Sequence, residues 1–280
     1  MRLILISGLS GSGKSVALRA LEDAGFYCVD NLPATMLPEA MAMYADFGYK
    51  DIAISVDTRS GPTLGALPKV VESLKAQGID VRLLFLEAKP ETLVKRFSET
   101  RRRHPLSDTG ITVEESILLE QEMLANVLDL GTRIDTSELS ANALRSWVRE
   151  LVDADSNQLT LIFESFGFKH GVPQDADFVF DVRCLPNPYY DPQLRPFTGR
   201  DQPIIDFFAG HKEVAEMIAD IQAMIAKWLP CYGKENRSYL TVAVGCTGGQ
   251  HRSVYITENL ARAFPDRQVL VRHRQLYREH

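Results

Sequence analysis

The sequence predicts two α/β domains in tandem, and three observations indicate this fold class. Apolar runs of strand length alternate with amphipathic helical segments along the chain. Two of the strands run into glycine-rich loops, Gly8–Ser15 and Gly245–Ser253, each followed by a helix. A polar stretch at 153–157 separates the halves and places the domains at 1–153 and 158–280. The alternation favours mostly parallel sheets with ligand sites at the carboxyl ends of their strands.

The composition excludes several classes of protein. Of the 280 residues, 45% are hydrophobic and 24% are charged, which is typical of a globular chain. No apolar run approaches the length of a membrane span, and the first seven residues form a strand rather than a signal sequence. We therefore expect a cytoplasmic protein with free thiols and no structural zinc, since its four cysteines form no C-x-x-C pair. A net charge of −6 argues against extensive coating of nucleic acid.

The first glycine-rich loop has the spacing G-x-x-x-x-G-K-S between an apolar strand and a helix start. It consists of Gly8, Leu9, Ser10, Gly11, Ser12, Gly13, Lys14 and Ser15. In such a phosphate-binding loop, backbone N–H groups surround phosphate oxygens and the helix dipole attracts them. Lys14 is expected to reach the β- and γ-phosphates, and the Ser15 hydroxyl to bind Mg²⁺. The motif predicts a P-loop NTPase domain of kinase-like architecture that binds a nucleotide.

Two acidic residues at strand ends compete as the carboxylate next to that magnesium ion. Asp57 ends the apolar strand predicted at 51–57, and Glu87 ends the one predicted at 81–87. We favour Asp57 because the sequence continues into a polar, glycine-containing turn suited to face a ligand, whereas Glu87 leads quickly into a helix. Lys14 and Asp57 are then the candidate catalytic pair.

A cluster of cations, Arg101–Arg103, stands at the end of the helix that begins at Pro90. These arginines either close over a bound triphosphate or only complement the negative end of the helix dipole. If they act in catalysis, the chain is a small-molecule kinase that uses them together with Lys14 and Asp57. No acceptor site for such a kinase is evident in the sequence.

The second glycine-rich loop, Gly245–Ser253, predicts a second anion site. Gly248 and Gly249 leave backbone N–H groups free to converge on an anion, and Arg252 at the helix start offers a guanidinium fork. Two histidines, His170 and His251, are candidate polar contacts for the ligand or hydrogen-bonded structural groups.

The same loop has the cysteine-phosphatase spacing C-x-x-G-x-x-R-S from Cys246 to Ser253. In those enzymes a thiolate of low pKa attacks the phosphate that the loop holds. Gly245 stands where such enzymes usually carry a histidine, and no general acid is evident. We favour phosphate binding without phosphatase chemistry, and keep the phosphatase as the alternative.

The end of the chain is basic although the protein as a whole is acidic. After an apolar strand at 268–271, the sequence carries Arg272, Arg274 and Arg278 together with histidines and a tyrosine. Arginines beside an aromatic ring suit an RNA backbone and stacked bases. The segment is a candidate RNA-binding tail, with a merely solvated tail as the alternative.

Four segments together resemble the RapZ/YvcJ nucleotide-binding proteins. They are 8–33, E-S-F-G-F-K-H-G at 164–171, D-V-R-C-L-P-N-P at 181–188 and V-G-C-T-G-G-Q-H-R-S-V-Y at 244–255. The resemblance spans essentially the whole chain and implies ATP and GTP binding with weak hydrolysis. It implies nucleotide contacts in the first glycine loop and at Asp57, Thr58, Arg59 and Ser60.

The resemblance also implies a function for the second domain. In enterobacterial members this domain senses glucosamine-6-phosphate, a phosphorylated amino sugar, and the protein presents a small regulatory RNA to an endoribonuclease. We accordingly expect a homo-oligomeric regulator with these partners. The ligand residues that the resemblance implies, with Ser253 added as the end of the same loop, are His170, Thr247, Gly248, Gly249, His251, Arg252 and Ser253.

Overall fold

The computed structural model describes residues 1–107, 110–128, 130–153, 159–233 and 239–276. It divides into two units, Met1–Asp153 and Ala154–His280, each built around one sheet. All strand pairs in the described residues are parallel, which confirms the α/β fold class. No helix within these ranges is long and apolar enough to cross a membrane.

The first unit contains a five-stranded sheet with helices in its crossovers. Its strands are β1 (Arg2–Gly8), β2 (Tyr27–Val29), β3 (Asp51–Ser55), β4 (Asp80–Glu87) and β5 (Thr132–Asp135). Its helices are α1 (Lys14–Asp23), α2 (Leu37–Asp46), α3 (Leu67–Ala76), α4 (Pro90–Thr100), α5 (Val113–Leu128) and α6 (Ala141–Asp153). The strand order is β2-β3-β1-β4-β5, so β1 is central and its apolar residues are covered on both faces. The loop after β1 therefore lies beside the ends of β3 and β4.

The second unit contains a four-stranded sheet. Its strands are β6 (Thr160–Gly167), β7 (Phe178–Asp181), β8 (Tyr239–Cys246) and β9 (Val269–His273). Its helices are α7 (Gln202–Ala209), α8 (Lys212–Gly233) and α9 (Arg252–Arg262). In the order β7-β8-β6-β9, the two central strands β6 and β8 are buried along their whole length. Their register pairs Gly167 with Cys246, which brings the turn after β6 beside the second glycine loop.

Two strand ends differ from the sequence prediction in ways that affect the candidate sites. The strand β3 ends at Ser55, so Asp57 lies in the loop beyond it. The last strand extends to His273 because β9 pairs with β6, where Arg272 stands opposite Glu164. Arg272 therefore belongs to the sheet and not to a tail.

Candidate functional site

The first glycine loop makes a tight turn that requires glycine at its first position. Gly8 has a φ of 132°, and a Cβ there would collide with the backbone carbonyl of Leu86 on β4. The Leu9 N–H donates to the same carbonyl oxygen at 3.0 Å. Four N–H groups of the loop have no protein acceptor in the described part of the chain: those of Gly11, Gly13, Lys14 and Ser15. Together with the amino end of α1, they form a cradle for an anion.

Lys14 and Asp57 lie side by side at the base of this loop. The Lys14 ammonium donates to the carbonyl oxygens of Gly8 at 2.7 Å and Leu9 at 3.1 Å, and lies 3.6 Å from the Asp57 carboxylate. Burial lowers the pKa of Lys14, and the charge of Asp57 opposes that effect. Burial alone would raise the pKa of Asp57, but hydrogen bonds from Arg59 and the charge of Lys14 bring it below its ordinary value. Asp57 is therefore ionised at neutral pH.

Arg59 occupies both oxygens of the Asp57 carboxylate. Its backbone N–H donates at 3.0 Å, and its Nη2 donates at 2.8 Å. The rival acid, Glu87, instead forms an ion pair with Arg133 at 2.7 Å, and burial raises the pKa of Glu87. The structure thus brings Asp57, and not Glu87, against Lys14.

A buried carboxylate that the sequence analysis missed, Glu120 on α5, binds the glycine loop directly. It is completely buried and accepts hydrogen bonds from the Ser10 N–H at 2.7 Å, the Ser10 hydroxyl at 2.8 Å and the Thr58 hydroxyl at 2.8 Å. The Nε2 atom of His104 lies 3.1 Å away. Burial would raise the pKa of Glu120, but the His104 hydrogen bond and the charge of Lys14 lower it. An acid on the apolar face of α5, between buried Ile117 and Leu124, was the available sequence signal.

The arginine that contacts the loop is Arg96 on α4. Its Nη1 donates to the Gly11 carbonyl oxygen at 3.0 Å, and its Nη2 donates to the Thr136 carbonyl oxygen at 2.6 Å. The Thr136 hydroxyl donates in turn to the Ser12 carbonyl oxygen at 2.8 Å. Arg101–Arg103 are exposed beyond the end of α4, and their closure over a nucleotide stays a prediction.

In the second glycine loop, Arg252 is a buried cation. It is the first residue of α9 and is only 4% exposed. Its Nη1 donates to the carbonyl oxygens of Arg183 at 2.7 Å and Leu185 at 3.1 Å, and its Nη2 donates to the Thr247 hydroxyl at 3.2 Å. Among the described residues no carboxylate pairs with it, and its Nε is buried without an acceptor. The charge of Arg252 acts on the Asp181 carboxylate, but Arg252 forms no ion pair with a carboxylate in the described residues, and such a buried guanidinium favours the binding of an anion.

The Cys246 thiol lies in the same loop. Its Sγ lies 3.1 Å from the Ser253 hydroxyl and accepts the Gly249 N–H at 3.2 Å. Gly249 has a φ of 76°, a conformation that side chains other than glycine rarely adopt. Burial would raise the pKa of Cys246, but the hydrogen bonds from Ser253 and Gly249 and the charge of Arg252 bring it below its ordinary value.

The two histidines have different surroundings. The Nε2 atom of His251 lies 3.2 Å from the Arg195 carbonyl oxygen, and burial lowers the pKa of His251, so its ring is neutral at pH 7. His170 is half-buried at the end of a 3-10 turn, Phe168–His170. The Lys169 N–H of that turn donates to the Thr247 carbonyl oxygen at 3.3 Å, which joins the turn to the glycine loop.

Arg272 and Arg274, which the sequence analysis placed in a candidate RNA-binding tail, are buried in the structure, at 5% and 6% exposed. Arg274 donates to Glu164 at 3.1 Å, and Arg272 lies 3.5 Å from Asp175. Both arginines are buried because the acids on and beside β6 neutralise them. Arg278 lies outside the described residues.

Comparisons with known proteins match both units to domains of the same family. The model of the RapZ-like N-terminal domain matches residues 1–156, and that of the RapZ C-terminal domain matches residues 159–277. A nucleotide-binding protein of Chromobacterium violaceum is 93% identical over 280 residues and 100% of both chains. A nucleotide-binding protein of Aromatoleum aromaticum is 59% identical over 99% of this chain and 96% of its own. The solved shikimate kinase of Bacteroides thetaiotaomicron is 14% identical, with a TM-score of 0.39 over 54% of this chain and 98% of that one.

Proposed function

The chain belongs to the RapZ family, and from that premise we propose that it is a regulator that binds ATP or GTP with Mg²⁺ in its first unit and a phosphorylated amino sugar in its second. The observation that carries the proposal is Arg252. It is a buried cation without a carboxylate partner in the described residues, placed at the amino end of a helix in a glycine loop. Nucleotide binding itself agrees with the names of the relatives.

In the first unit, the unpaired N–H groups at 11–15 would hold the phosphates of the nucleotide, and Lys14 would neutralise them. The exposed Ser15 hydroxyl would contribute one oxygen ligand to Mg²⁺, and the phosphates would contribute others. Asp57 would act on the ion through water or by its charge, because Arg59 occupies both its oxygens. No group of three or more His, Cys, Asp or Glu in the described ranges is arranged to hold a metal, so the ion would depend on the nucleotide. When bound, Mg²⁺ supplies charge neutralisation for the phosphates.

In the second unit, the phosphate of the sugar would lie against Gly248 and Arg252. The Gly249 N–H, which was expected to be free for an anion, instead donates to the Cys246 Sγ atom and holds the loop in shape. Thr247 is exposed and His170 is half-buried, so both are placed to contact the sugar. His251 would act mainly by holding the loop, because its ring nitrogen lies against the Arg195 carbonyl oxygen.

Titration calorimetry with glucosamine-6-phosphate tests this function. We expect Arg252→Gln to weaken binding by about tenfold or more, or about 1.4 kcal/mol, because the phosphate loses its charged partner. The control is Arg262→Gln, on the same helix with its side chain 70% exposed, and it should bind like the unaltered protein. Equal affinity in Arg252→Gln and the unaltered protein would reject the assignment.

The proposal includes the presentation of a small regulatory RNA to an endoribonuclease, as the resemblance implies. Arg272 and Arg274 are not proposed as contacts, because both are buried in ion pairs. Filter binding of RNA at about 50 and 200 mM salt, with the unaltered chain and Arg278→Ala, tests this role. We expect binding that falls with salt and falls further in the variant. Binding that does not depend on salt would reject the electrostatic basis of the RNA role.

A further inference from the structure

The second glycine loop contains a buried thiol, that of Cys246, in addition to the buried guanidinium of Arg252. Cys246 ends β8 and Arg252 begins α9, so the five residues between them form the whole connection. The Sγ atom accepts the Gly249 N–H at 3.2 Å and lies 3.1 Å from the Ser253 hydroxyl, which can donate to it when the sulfur is a thiolate. These donors stabilise a thiolate, which is the nucleophilic form of cysteine.

The environment of Cys246 differs from that of Cys28 in the first unit. Burial and the nearby Glu22 raise the pKa of Cys28 to about 11, whereas the pKa of Cys246 is below its ordinary value. The difference lies in the hydrogen bonds that the loop donates to Sγ and in the charge of Arg252. The loop therefore stabilises a negative charge on sulfur that burial alone would suppress.

A second, independent feature points to a phosphoryl ligand at the same place. The guanidinium of Arg252 is nine-tenths buried or more, contacts Thr247 in the loop, and carries an Nε without an acceptor. It forms no ion pair with a carboxylate among the residues that the structure describes, although its charge acts on Asp181. An anion held by this arginine would lie in the same loop as the thiolate.

We propose that Cys246 is a catalytic nucleophile that accepts a phosphoryl group from a phosphate monoester bound in the loop, an activity that rests on the proposed phosphate site. The thiolate attacks phosphorus and forms an S–P bond, while the P–O ester bond breaks and the leaving alkoxide or phenoxide takes a proton from solvent. Water then attacks phosphorus, the S–P bond breaks, and inorganic phosphate and the thiolate are released. Ser253 donates to the sulfur when it leaves in this second step.

The structure also limits the substrates. Asp181, an acid beside the loop, pairs in register with Gly245, but hydrogen bonds from Arg183 and the charge of Arg252 lower the pKa of Asp181. A carboxyl group held ionised is a poor proton donor to a leaving group. The reaction therefore favours esters of acidic alcohols, such as aryl phosphates, and is slow with an alkyl ester such as a sugar phosphate. A sugar phosphate can then bind as an effector and compete with the substrate.

Hydrolysis of p-nitrophenyl phosphate tests this activity, with mass spectrometry of acid-quenched protein to detect phosphocysteine. We expect Cys246→Ser to lower turnover by about a hundredfold or more, because serine cannot replace the thiolate. Cys231→Ser, which alters an exposed cysteine outside the loop, should retain full turnover. Ser253→Ala should accumulate the phosphorylated cysteine, because the sulfur loses its hydrogen-bond donor as a leaving group. Glucosamine-6-phosphate should inhibit the unaltered protein.

Two results would overturn the proposal. One is turnover in Cys246→Ser that equals turnover in the unaltered protein. The other is the absence of a phosphorylated Cys246 in both the unaltered chain and Ser253→Ala. If glucosamine-6-phosphate still binds in calorimetry when either result is found, the phosphate site stands and only the nucleophile is rejected. If the unaltered protein neither binds glucosamine-6-phosphate nor hydrolyses p-nitrophenyl phosphate, the proposed function is rejected as well.

Discussion

At the scale of single residues, the first candidate site depends on Glu120, a buried carboxylate that was not among the predicted site residues. Glu120 accepts hydrogen bonds from Ser10 of the glycine loop and from Thr58 of the segment after β3. The Nε2 atom of His104 lies within hydrogen-bonding distance of the same carboxylate. The carboxylate thereby fixes the loop that carries Lys14 relative to the segment that carries Asp57. Its removal should disturb stability and nucleotide binding together.

We expect Glu120→Ala to lower the free energy of unfolding by about 3–5 kcal/mol, because it leaves several buried donors without an acceptor. Chemical denaturation measures this change. The control Glu122→Ala alters an exposed acid on the same helix and should stay within about 0.5 kcal/mol of the unaltered protein. Similar losses of unfolding free energy in both variants would show that the buried hydrogen bonds of Glu120 do not stabilise the protein.

A second residue-scale prediction concerns Gly8. Gly8→Ala should lower the free energy of unfolding by about 3 kcal/mol or more, since the new Cβ meets the Leu86 carbonyl in addition to the strain of a positive φ. Gly78→Ala is the matched control, because Gly78 also has a positive φ of 81° but no atom within 4 Å of a Cβ. Its loss should be about 1 kcal/mol. Thermal unfolding of both variants measures the difference, and equal losses would contradict the close approach.

A third prediction concerns pH. His273 is completely buried, with Nδ1 at 2.7 Å from the Ser165 hydroxyl and Nε2 at 3.1 Å from Glu258. Burial, aided by the charge of Arg200, lowers the pKa of His273 despite Glu258. A base with a depressed folded-state pKa contributes stability above its unfolded pKa of about 6.5, and that stability is lost as pH falls through the folded pKa.

We therefore expect the free energy of unfolding to decrease from about pH 7.5 to 5.5, and the decrease to be smaller in His273→Gln. Urea denaturation at several pH values measures it. His211→Gln replaces a partly exposed histidine and should keep the slope of the unaltered protein. If the free energy of unfolding depends on pH as strongly in His273→Gln as in the unaltered protein, His273 is not responsible for this pH dependence.

At the scale of elements, local patterns predicted the strand–loop–helix units, because glycine spacing and apolar runs act over a few residues. The contacts that complete the sites depend on distant parts of the chain. Glu120 lies 110 residues from Ser10, and Arg96 lies 85 residues from Gly11, so no local pattern joins them. The burial of Arg272 likewise depends on the pairing of β9 with β6.

The start of α6 provides an element-scale prediction. The Ser140 hydroxyl accepts the Ala143 N–H at 3.2 Å, so Ser140 is the N-cap of this helix. Ser140→Ala should lower the free energy of unfolding by about 1 kcal/mol. Ser146→Ala, at an exposed position inside the same helix, should leave stability unchanged or raise it slightly, because alanine favours helix. Denaturation curves in which Ser140→Ala loses no more stability than Ser146→Ala would contradict the cap.

At the scale of the whole molecule, both units contain the same arrangement of a strand, a glycine loop and a buried cation. In each unit a buried parallel strand ends in a glycine loop, and a buried cation, Lys14 or Arg252, lies in that loop. The surroundings of the two cations differ. Lys14 lies against Asp57, whereas Arg252 has no carboxylate partner among the described residues. These surroundings agree with the two proposed ligands, a nucleotide with Mg²⁺ at the first loop and a sugar phosphate at the second.

Cross-titration of two variants with two ligands tests the central claim most directly. Calorimetry would measure the binding of ATP with Mg²⁺ and of glucosamine-6-phosphate to Lys14→Met and Arg252→Gln. We expect Lys14→Met to lose about tenfold or more in nucleotide affinity and to keep its affinity for the sugar phosphate, and Arg252→Gln to show the reverse. Loss of both ligands in one variant, or of neither ligand in both, would contradict two separate anion sites.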